Sequence, residues 1–441
     1  MEADLVGAER RISSLPTETL LDIFDHCRVK YYDFALDSIS VRGGPLSVTS
    51  VCQRWRHVAL STPTLWTDVH LNIYPHPLGD VIARLQSLLE RSGDLPLSVI
   101  VRNHGIAPLS GLVPALQLLA SHSTRWEHAD IALRNNHFCN LTSIRGCLPL
   151  LRRATIYIRG YIIGAQWDPY RGLFVECPAL ESFEHVGQNF DLPWKQLIRY
   201  SARPLLPLQF HDLKGLKNVR ALELQTVLVN DFTSEQRSSQ LHLPSLERAF
   251  IAAVDLSTLR APALTECHIY GHLETVESVH ELANALSAGP CSLTALSIYL
   301  YHKAASAEAL SRVLVACPNL RVLRLRLQYE LFDDGDASAL LIELFTTLII
   351  REDALPLVPK LEELTIMTLV CRPLDGFQSL ADAIASRDGA LRAVSLYTVV
   401  GQYDLTAREG LFDSGRPCTV SIKYDLSPEE YAEIWEDMRR V

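Results

Sequence analysis

A short pattern of apolar and polar positions returns along most of this chain. From residue 121 onward, an apolar residue is followed by two variable positions, a second apolar residue, one variable position and a third apolar residue. Each copy predicts a short β-strand with one buried face. The clear copies occupy 151–156, 219–224, 246–251, 264–269, 293–298, 320–325, 361–366 and 391–396, and weaker copies begin at Trp126 and Leu180.

Several copies follow a proline, and helical patterns such as 305–317 precede the prolines. Because proline ends a helix, the repeated unit is predicted to be helix, turn and strand. Strands joined in this way run parallel, and stacked units bury what one unit leaves exposed. The pattern resembles leucine-rich repeats, so the predicted fold class is α/β, an irregular αβ solenoid. From Leu246 to Leu264 the step is only 18 residues (264 − 246), which predicts a plain loop there.

Two short amphipathic helices are predicted near the start of the chain. Pro16 suits the first turn of the first helix, and 62–63 ends the second. Both helices place apolar residues three or four positions apart, which puts these residues on one face. The two sets are Leu20, Ile23, Phe24 and Cys27, and then Val48, Val51, Cys52, Trp55, Val58 and Ala59.

Helices this short cannot bury two tryptophans among themselves, so surplus apolar surface must meet the rest of the chain or a partner. Three separated blocks agree in order and residue type with the F-box, and the chain resembles that family over roughly its first 70 residues. The positions that this resemblance assigns to adaptor binding are Leu15, Pro16, Leu20, Ile23, Phe24, Val51, Cys52, Trp55, Leu65 and Trp66.

F-box proteins are substrate receptors. The resemblance implies that the N-terminal helices dock on a Skp-type adaptor, which joins them to a cullin-RING ubiquitin ligase, and that the solenoid binds the target protein. Segments 61–71, 89–101 and 121–133 are similar to a fungal F-box subgroup. The expected domains are an F-box-like helical domain at 10–72, a leucine-rich-repeat-like solenoid at 78–425 and a C-terminal helix at 426–441.

The last predicted element is a capped helix. Ser427 and Glu430 form a capping box, and Pro428 stands at the first helical position. Apolar residues at helical spacing from Tyr431 to Met438 give the helix one apolar side, which we interpret as a cap over the open end of the solenoid. A docking helix for another protein is the alternative.

Composition narrows the class of partner. The 441 residues carry a formal net charge of −10, with 48% hydrophobic and 21% charged residues, as in a folded protein that does not bind nucleic acid. The N-terminus lacks a signal pattern and the most apolar stretch is short, so we expect no membrane association and a cytoplasmic or nuclear location. The ten cysteines form no CxxC pair and are expected to be reduced and buried.

No catalytic motif stands out, and no cofactor is expected. His137 and Cys139 with Cys147 lack the fourth ligand of a zinc site. The acidic run 333–336 lacks the spacing of a calcium loop and is interpreted as a solvated turn before a helix that starts near Ala337. An enzyme built on the repeats therefore has no support in the sequence.

The variable positions of the repeats are the candidate substrate surface, because they lie on the face opposite the buried side chains. Tyrosine and arginine, which are enriched at interface hot spots, recur there. Good β-formers on a solvated face would produce the same pattern. The candidate residues are Phe250, His268, Tyr270, Tyr299, Arg324, Arg326 and Tyr397.

A second function fits the same fold. The protein could be a binding scaffold outside any ligase, with the N-terminal helices serving only as a cap for the solenoid. The long insert after Cys27, which includes residues 31–44, favours this alternative.

Overall fold

The computed structural model describes most of the chain, which folds as two compact units, Met1–Arg203 and Pro204–Val441. The described residues are 15–27, 44–73, 81–103, 112–160, 168–203, 212–225, 240–252, 259–273, 276–287, 292–301, 306–328, 337–351, 356–370, 376–387, 390–400, 418–423, 430 and 433–434.

The first unit begins with helices and continues as a parallel sheet. Its helices are α1 (Thr17–His26), α2 (Gly44–Val48), α3 (Gln53–Leu60), α4 (Val81–Arg91), α5 (Leu112–Ser121), α6 (Asn135–Phe138) and α7 (Asp168–Arg171). Its strands are β1 (Asp68–Ile73), β2 (Leu97–Asn103), β3 (Trp126–Arg134), β4 (Arg153–Arg159), β5 (Ser182–Val186) and β6 (Arg199–Arg203). Each strand pairs in parallel with the next one along the chain.

The second unit repeats this plan. Its helices are α8 (Val276–Ser287), α9 (Ala307–Val315), α10 (Ala337–Leu348) and α11 (Gly376–Ser386). Its strands are β7 (Ala221–Gln225), β8 (Leu241–His242), β9 (Arg248–Ala252), β10 (Leu259–Arg260), β11 (Glu266–Leu273), β12 (Ala295–Tyr301), β13 (Val322–Gln328), β14 (Glu363–Val370), β15 (Ala393–Val400) and β16 (Thr419–Lys423). All of them pair in parallel in chain order, except that β8 and β10 pair only with each other.

The repeated sequence pattern builds the parallel strands of both units. In the copy at 320–325, the apolar residues Leu320, Leu323 and Leu325 are at most 1% exposed. Since side chains alternate across a strand, these residues share the buried face while the positions between them share the other face. The predicted α/β class, with parallel strands alternating with helices, is confirmed. Leu264 and Leu396 depart from the pattern and are only half-buried.

Strand β6 was not among the predicted strands, although the same pattern marks it. Leu197, Tyr200 and Ala202 have the repeat spacing and are at most 1% exposed. The third position is alanine, whose weak apolar signal hides the copy. Tyr200 packs against the rings of His185 and Trp194 there, with centroids 5.7 and 5.1 Å away.

The continuous helical stripe predicted from Val48 to Ala59 is wrong. Helix α2 ends at Val48 and α3 starts at Gln53, after a turn. Cys52 has an extended backbone and caps α3, because its Sγ accepts a hydrogen bond from the Trp55 N–H at 3.5 Å. The break turns Val51 away from the interior.

Several other predictions fall partly or wholly on residues that the structure does not describe. Among the described residues between β9 and β11 there are turns and the two-residue β10 but no helix, and 253–258 lie outside the described residues. Helix α10 begins at Ala337, as predicted, while the acidic run 333–336 lies outside the described residues. Most of the predicted C-terminal helix and most of the insert at 31–44 also lie outside them, and the described residues 430, 433 and 434 of that helix are helical. No helix in the described part of the chain is long and apolar enough to cross a membrane.

A buried arginine holds the turn that leads into β14. Arg387 is 3% exposed and follows α11. Its guanidinium donates hydrogen bonds to the carbonyls of Leu348, Leu357 and Val358, three of them at 2.8 Å. Val358 is held at φ +42°, a conformation that is unfavourable for a β-branched residue. Burial lowers the pKa of Arg387 to about 10, so the side chain remains charged at neutral pH.

Replacing this side chain should destabilise the fold. We expect Arg387→Leu to lower the free energy of unfolding by about 2–4 kcal/mol, because three buried carbonyls lose a charged donor. Urea unfolding followed by tryptophan fluorescence measures the change. Arg392→Leu is the matched control, since Arg392 is exposed and its ion pair with Glu362 contributes at most about 1 kcal/mol. Equal effects of the two variants would contradict this role.

A histidine lies at the centre of the aromatic interior of the first unit. His185 is fully buried, its Nε2 lies 2.9 Å from the Tyr200 hydroxyl, and its ring is 5.8 Å from the rings of Phe183 and Phe190. Burial lowers the pKa of His185 to about 3, and a hydrogen bond with the Gln188 backbone acts weakly in the opposite direction. The folded protein therefore keeps this imidazole neutral.

Acid should weaken the fold through this residue. The pKa of His185 is lower in the folded chain than in the unfolded chain, so the stabilisation is complete above pH 6.5 and is lost as the pH falls toward 3. In His185→Phe, the slope of unfolding free energy against pH between 6 and 4 should fall by up to about 1.4 kcal/mol per pH unit. Urea titrations at several pH values measure it. The exposed His242, changed to Gln, is the control that should keep the original slope.

Candidate protein-binding surfaces

The N-terminal helices form a hairpin around two aromatic rings. Helices α1 and α3 contact each other, and the rings of Phe24 and Trp55 meet edge to face with centroids 5.0 Å apart. Arg54 ties the start of the hairpin to α3, because its Nη2 donates to the Leu15 carbonyl. Leu20 and Phe24 are at most 2% exposed, so they form the interior of the hairpin.

A strip of apolar surface remains open on the hairpin. Val51 is 56% exposed and Leu60 is 40% exposed, while Ile23 and Trp55 are half-buried. Pro16 and Cys52 are also exposed, and Leu15 is half-buried. We use the name apolar strip for the open and half-open apolar side chains of the hairpin, which are Leu15, Pro16, Ile23, Val51, Cys52, Trp55 and Leu60.

Four residues predicted to bind an adaptor lie inside the chain instead: Leu20 and Phe24 within the hairpin, and Leu65 and Trp66 beyond it. Leu65 is 4% exposed and Trp66 is fully buried. The Trp66 indole N–H donates to the Ala59 carbonyl at 2.9 Å, and the Arg91 guanidinium lies 4.6 Å from the ring centroid. Trp66 therefore connects α3 to the first strand of the sheet.

The position of Trp66 has a signal in the sequence. Trp66, Val69 and Leu71 have the same spacing as the repeats, and all are at most 2% exposed. Trp126 occupies the same first position in the copy that forms β3 and is 1% exposed. The repeat thus begins at residue 66, inside the segment that the F-box resemblance also covers.

The predicted substrate residues lie on the open face of the strands of the second unit, in two rows that run across the strands. One row aligns Phe250, His268, Ser297 and Arg324 on neighbouring strands. A second row aligns Tyr299, Arg326, Met367, Tyr397 and Lys423. Tyr270 follows Ile269, the partner of Ile298, and its ring lies beside that of Tyr299, before strand β11 shifts register on the way to Leu273. Parallel pairing thus gathers side chains that are about 30 residues apart in sequence.

Aromatic and cationic side chains stack along these rows. The rings of Tyr270 and Tyr299 are 5.0 Å apart and tilted by 15°, and the Arg326 guanidinium lies 4.9 Å from the Tyr299 centroid. Phe250 is 6.3 Å from the rings of both His268 and Tyr270. We name Phe250, His268, Tyr270, Tyr299 and Arg326 the aromatic ladder. At the other end of the row, the Lys423 Nζ lies 5.8 Å from the centroid of the Tyr397 ring.

Burial divides the members of the ladder. Tyr299 and His268 are 4% and 8% exposed, so their rings support the surface more than they form it. Phe250, Tyr270 and Arg326 remain half-exposed. Burial lowers the pKa of Arg324, while Glu363 and Glu266 act in the opposite direction, and the guanidinium remains charged at neutral pH. The face therefore offers flat apolar groups beside fixed positive charge.

Cysteines and titratable groups form no reactive cluster in the described residues. Cys177, Cys267 and Cys317 are buried as predicted, whereas Cys27 and Cys52 are exposed because both stand at helix ends. Burial raises the pKa of Cys177 to about 12, so it remains a thiol. Within the described ranges, no group of three or more His, Cys, Asp or Glu side chains could hold a metal ion.

No family model matches this chain, and a search of curated proteins finds no match. Its geometry is that of parallel strands alternating with helices, consistent with a leucine-rich-repeat type of solenoid.

Proposed function

We propose that the protein is the substrate-recognition subunit of a Skp-cullin-F-box ubiquitin ligase, acting in the cytoplasm or nucleus. The observation that carries the proposal is the apolar strip on the N-terminal hairpin, with Val51 56% exposed beside half-buried Ile23 and Trp55. Helical hairpins that present apolar ridges are suited to grooves on helical partners. The strip occupies positions that resemble those of the F-box.

The proposed adaptor contact is narrower than the sequence resemblance implied. Open or half-open side chains form the contact: Leu15, Pro16, Ile23, Val51, Cys52 and Trp55. Leu20, Phe24, Leu65 and Trp66 support it from inside the chain. Trp55 has both roles, because its ring packs on Phe24 and part of it reaches the surface.

The target protein binds to the aromatic ladder in this proposal. Tyrosine and arginine contribute much of the binding energy of protein interfaces, because their flat surfaces lose contact with water on binding. Tyr270 and Arg326 are held in place by Tyr299 between them, so little side-chain entropy is lost on binding. The protein itself supplies recognition, and the partner ligase supplies the chemistry of ubiquitin transfer.

A binding scaffold outside any ligase is the second candidate, and one observation favours it. The hairpin belongs to the same compact unit as strands β1–β6, and Trp66 bonds it to that sheet. A hairpin joined in this way can serve as the cap of a stacked repeat.

Direct binding to a purified Skp-type adaptor separates the two candidates. We expect the full chain to bind, and Ile23→Asp and Val51→Asp to weaken binding by at least tenfold, because each places a charge in an apolar contact. Biolayer interferometry measures the affinity. Val315→Asp is the matched control, since Val315 is 67% exposed on α9 in the second unit.

Circular dichroism should show unchanged melting for the three variants, because each replaces an open or half-open side chain. An absence of adaptor binding by the unaltered chain, or full binding by both hairpin variants, would favour the scaffold.

The aromatic ladder can be tested separately. In cells, Tyr270→Ala combined with Arg326→Ala should remove proteins that co-purify with the unaltered chain while adaptor binding stays intact. Quantitative mass spectrometry compares the two samples. Arg321→Ala serves as control, because Arg321 is exposed and lies outside the rows. An unchanged set of co-purifying proteins would remove the ladder from the proposed function.

A further inference from the structure

A short turn between α2 and α3 carries one of the exposed residues of the apolar strip. The turn spans residues 49–51, and the extended Cys52 follows it as the cap of α3. Its last residue is Val51, whose exposed side chain belongs to the proposed adaptor contact. Ser50 stands directly before Val51, so a change in the charge of Ser50 acts at that contact.

Ser50 presents its hydroxyl to solvent while the turn holds its backbone. The N–H and the Oγ of Ser50 both donate to the Ser47 carbonyl, at 3.2 and 2.7 Å, and the side chain is exposed. The other hydroxyl of the turn, on Thr49, is half-buried and donates to the Leu46 carbonyl at 2.8 Å. Ser50 is therefore the hydroxyl of this turn that is more accessible to a modifying enzyme.

Positive groups adjoin Ser50 and would stabilise a phosphate on it. The Arg56 Nε donates to the Thr49 carbonyl at 2.9 Å, which places the guanidinium beside the residue that precedes Ser50. A guanidinium has further N–H donors that suit phosphate oxygens. Helix α3 begins at Gln53, close after Ser50, and the amino end of a helix favours negative charge. The fold of the hairpin is thus compatible with a phosphorylated Ser50.

Ser61, at the other end of α3, shows the contrast. It is also exposed, but its Oγ donates to the carbonyls of His57 and Val58 at 2.8 and 3.1 Å. A phosphate there would meet the carboxyl end of a helix, which disfavours negative charge, and would lose both hydrogen bonds. The position relative to α3, and not exposure alone, distinguishes Ser50.

We propose that Ser50 is a phosphorylation site that switches off docking of the hairpin on its adaptor. A protein kinase transfers the γ-phosphoryl group of ATP to the Ser50 Oγ, so that an O–P bond forms, the bond to ADP breaks and the hydroxyl proton passes to the kinase. The product carries about two negative charges at pH 7. Hydrolysis by a phosphatase restores the hydroxyl.

The switch follows from where the phosphate is in each state. In the free chain it remains in water beside Arg56. In the complex it would lie next to Val51 within an apolar contact, where burial of a charge is strongly unfavourable. This inference rests on the proposed function, because it concerns regulation of the same contact.

Binding of purified full chains to a purified Skp-type adaptor tests the switch. Phosphoserine is incorporated at position 50 through an expanded genetic code, and at position 292 in the matched control, because Ser292 is exposed in the second unit. We expect phosphorylation of Ser50 to weaken binding by at least tenfold, and phosphorylation of Ser292 to leave the affinity unchanged. Biolayer interferometry measures both. Phosphatase treatment should restore binding.

Thermal melting tests the compatibility of the phosphate with the fold. The chain phosphorylated at Ser50 should melt no lower than the unmodified chain, and phosphorylation should change the melting temperature less favourably in Arg56→Gln. A loss of adaptor binding together with a lowered melting temperature would overturn the switch, because the phosphate would then act by unfolding the hairpin.

The remaining outcomes separate this inference from the proposed function. If the unmodified chain does not bind the adaptor, the proposed function fails, and the switch fails with it. If the unmodified and the phosphorylated chain bind equally well, only the switch is overturned. Mass spectrometry of the tryptic peptide 43–54, from cells lysed with phosphatase inhibitors, should find phosphorylated Ser50 in the adaptor-free chain and little in the adaptor-bound chain. Its absence from both pools overturns the switch as well.

Discussion

The parallel pairing of short strands in register is the constraint on which the rest of this structure depends. Each strand contributes alternate residues to a buried face, and each strand is joined to the next by a connection of limited length. Neighbouring copies must therefore present apolar residues at matching positions, as Leu296, Leu323 and Leu364 do. A one-residue slip would move all of these to the open face.

The same constraint also fixes the position of the N-terminal hairpin. Trp66 occupies the first apolar position of a repeat, and its indole N–H also donates a hydrogen bond to the Ala59 carbonyl near the end of α3. Burial of this indole stabilises the sheet and the hairpin together, at about 25 cal/mol for each Å² of apolar surface removed from water. The hairpin can leave Val51 and Leu60 open, because its position does not depend on burying them.

Register also explains where functional groups collect. A row across the open face contains one residue from each repeat, so functional side chains lie next to each other in rows. In the second unit the line is aromatic, with Tyr270 on Tyr299 and Arg326 beside them. In the first unit it brings Arg134 next to Arg159. The two surfaces differ in chemistry although the backbone plan is the same.

The sequence by itself determined most of the strand positions and their buried residues, because an apolar pattern with period two reports local geometry directly. It missed β2 and β16, it failed at β6, where Ala202 carries little apolar signal, and it failed at Cys52, whose cap depends on backbone angles rather than on residue type. Only the tertiary structure decided that Trp66 faces inward and that Arg134 and Arg159 are neighbours. Those facts depend on register between residues distant in sequence, which a local pattern does not contain.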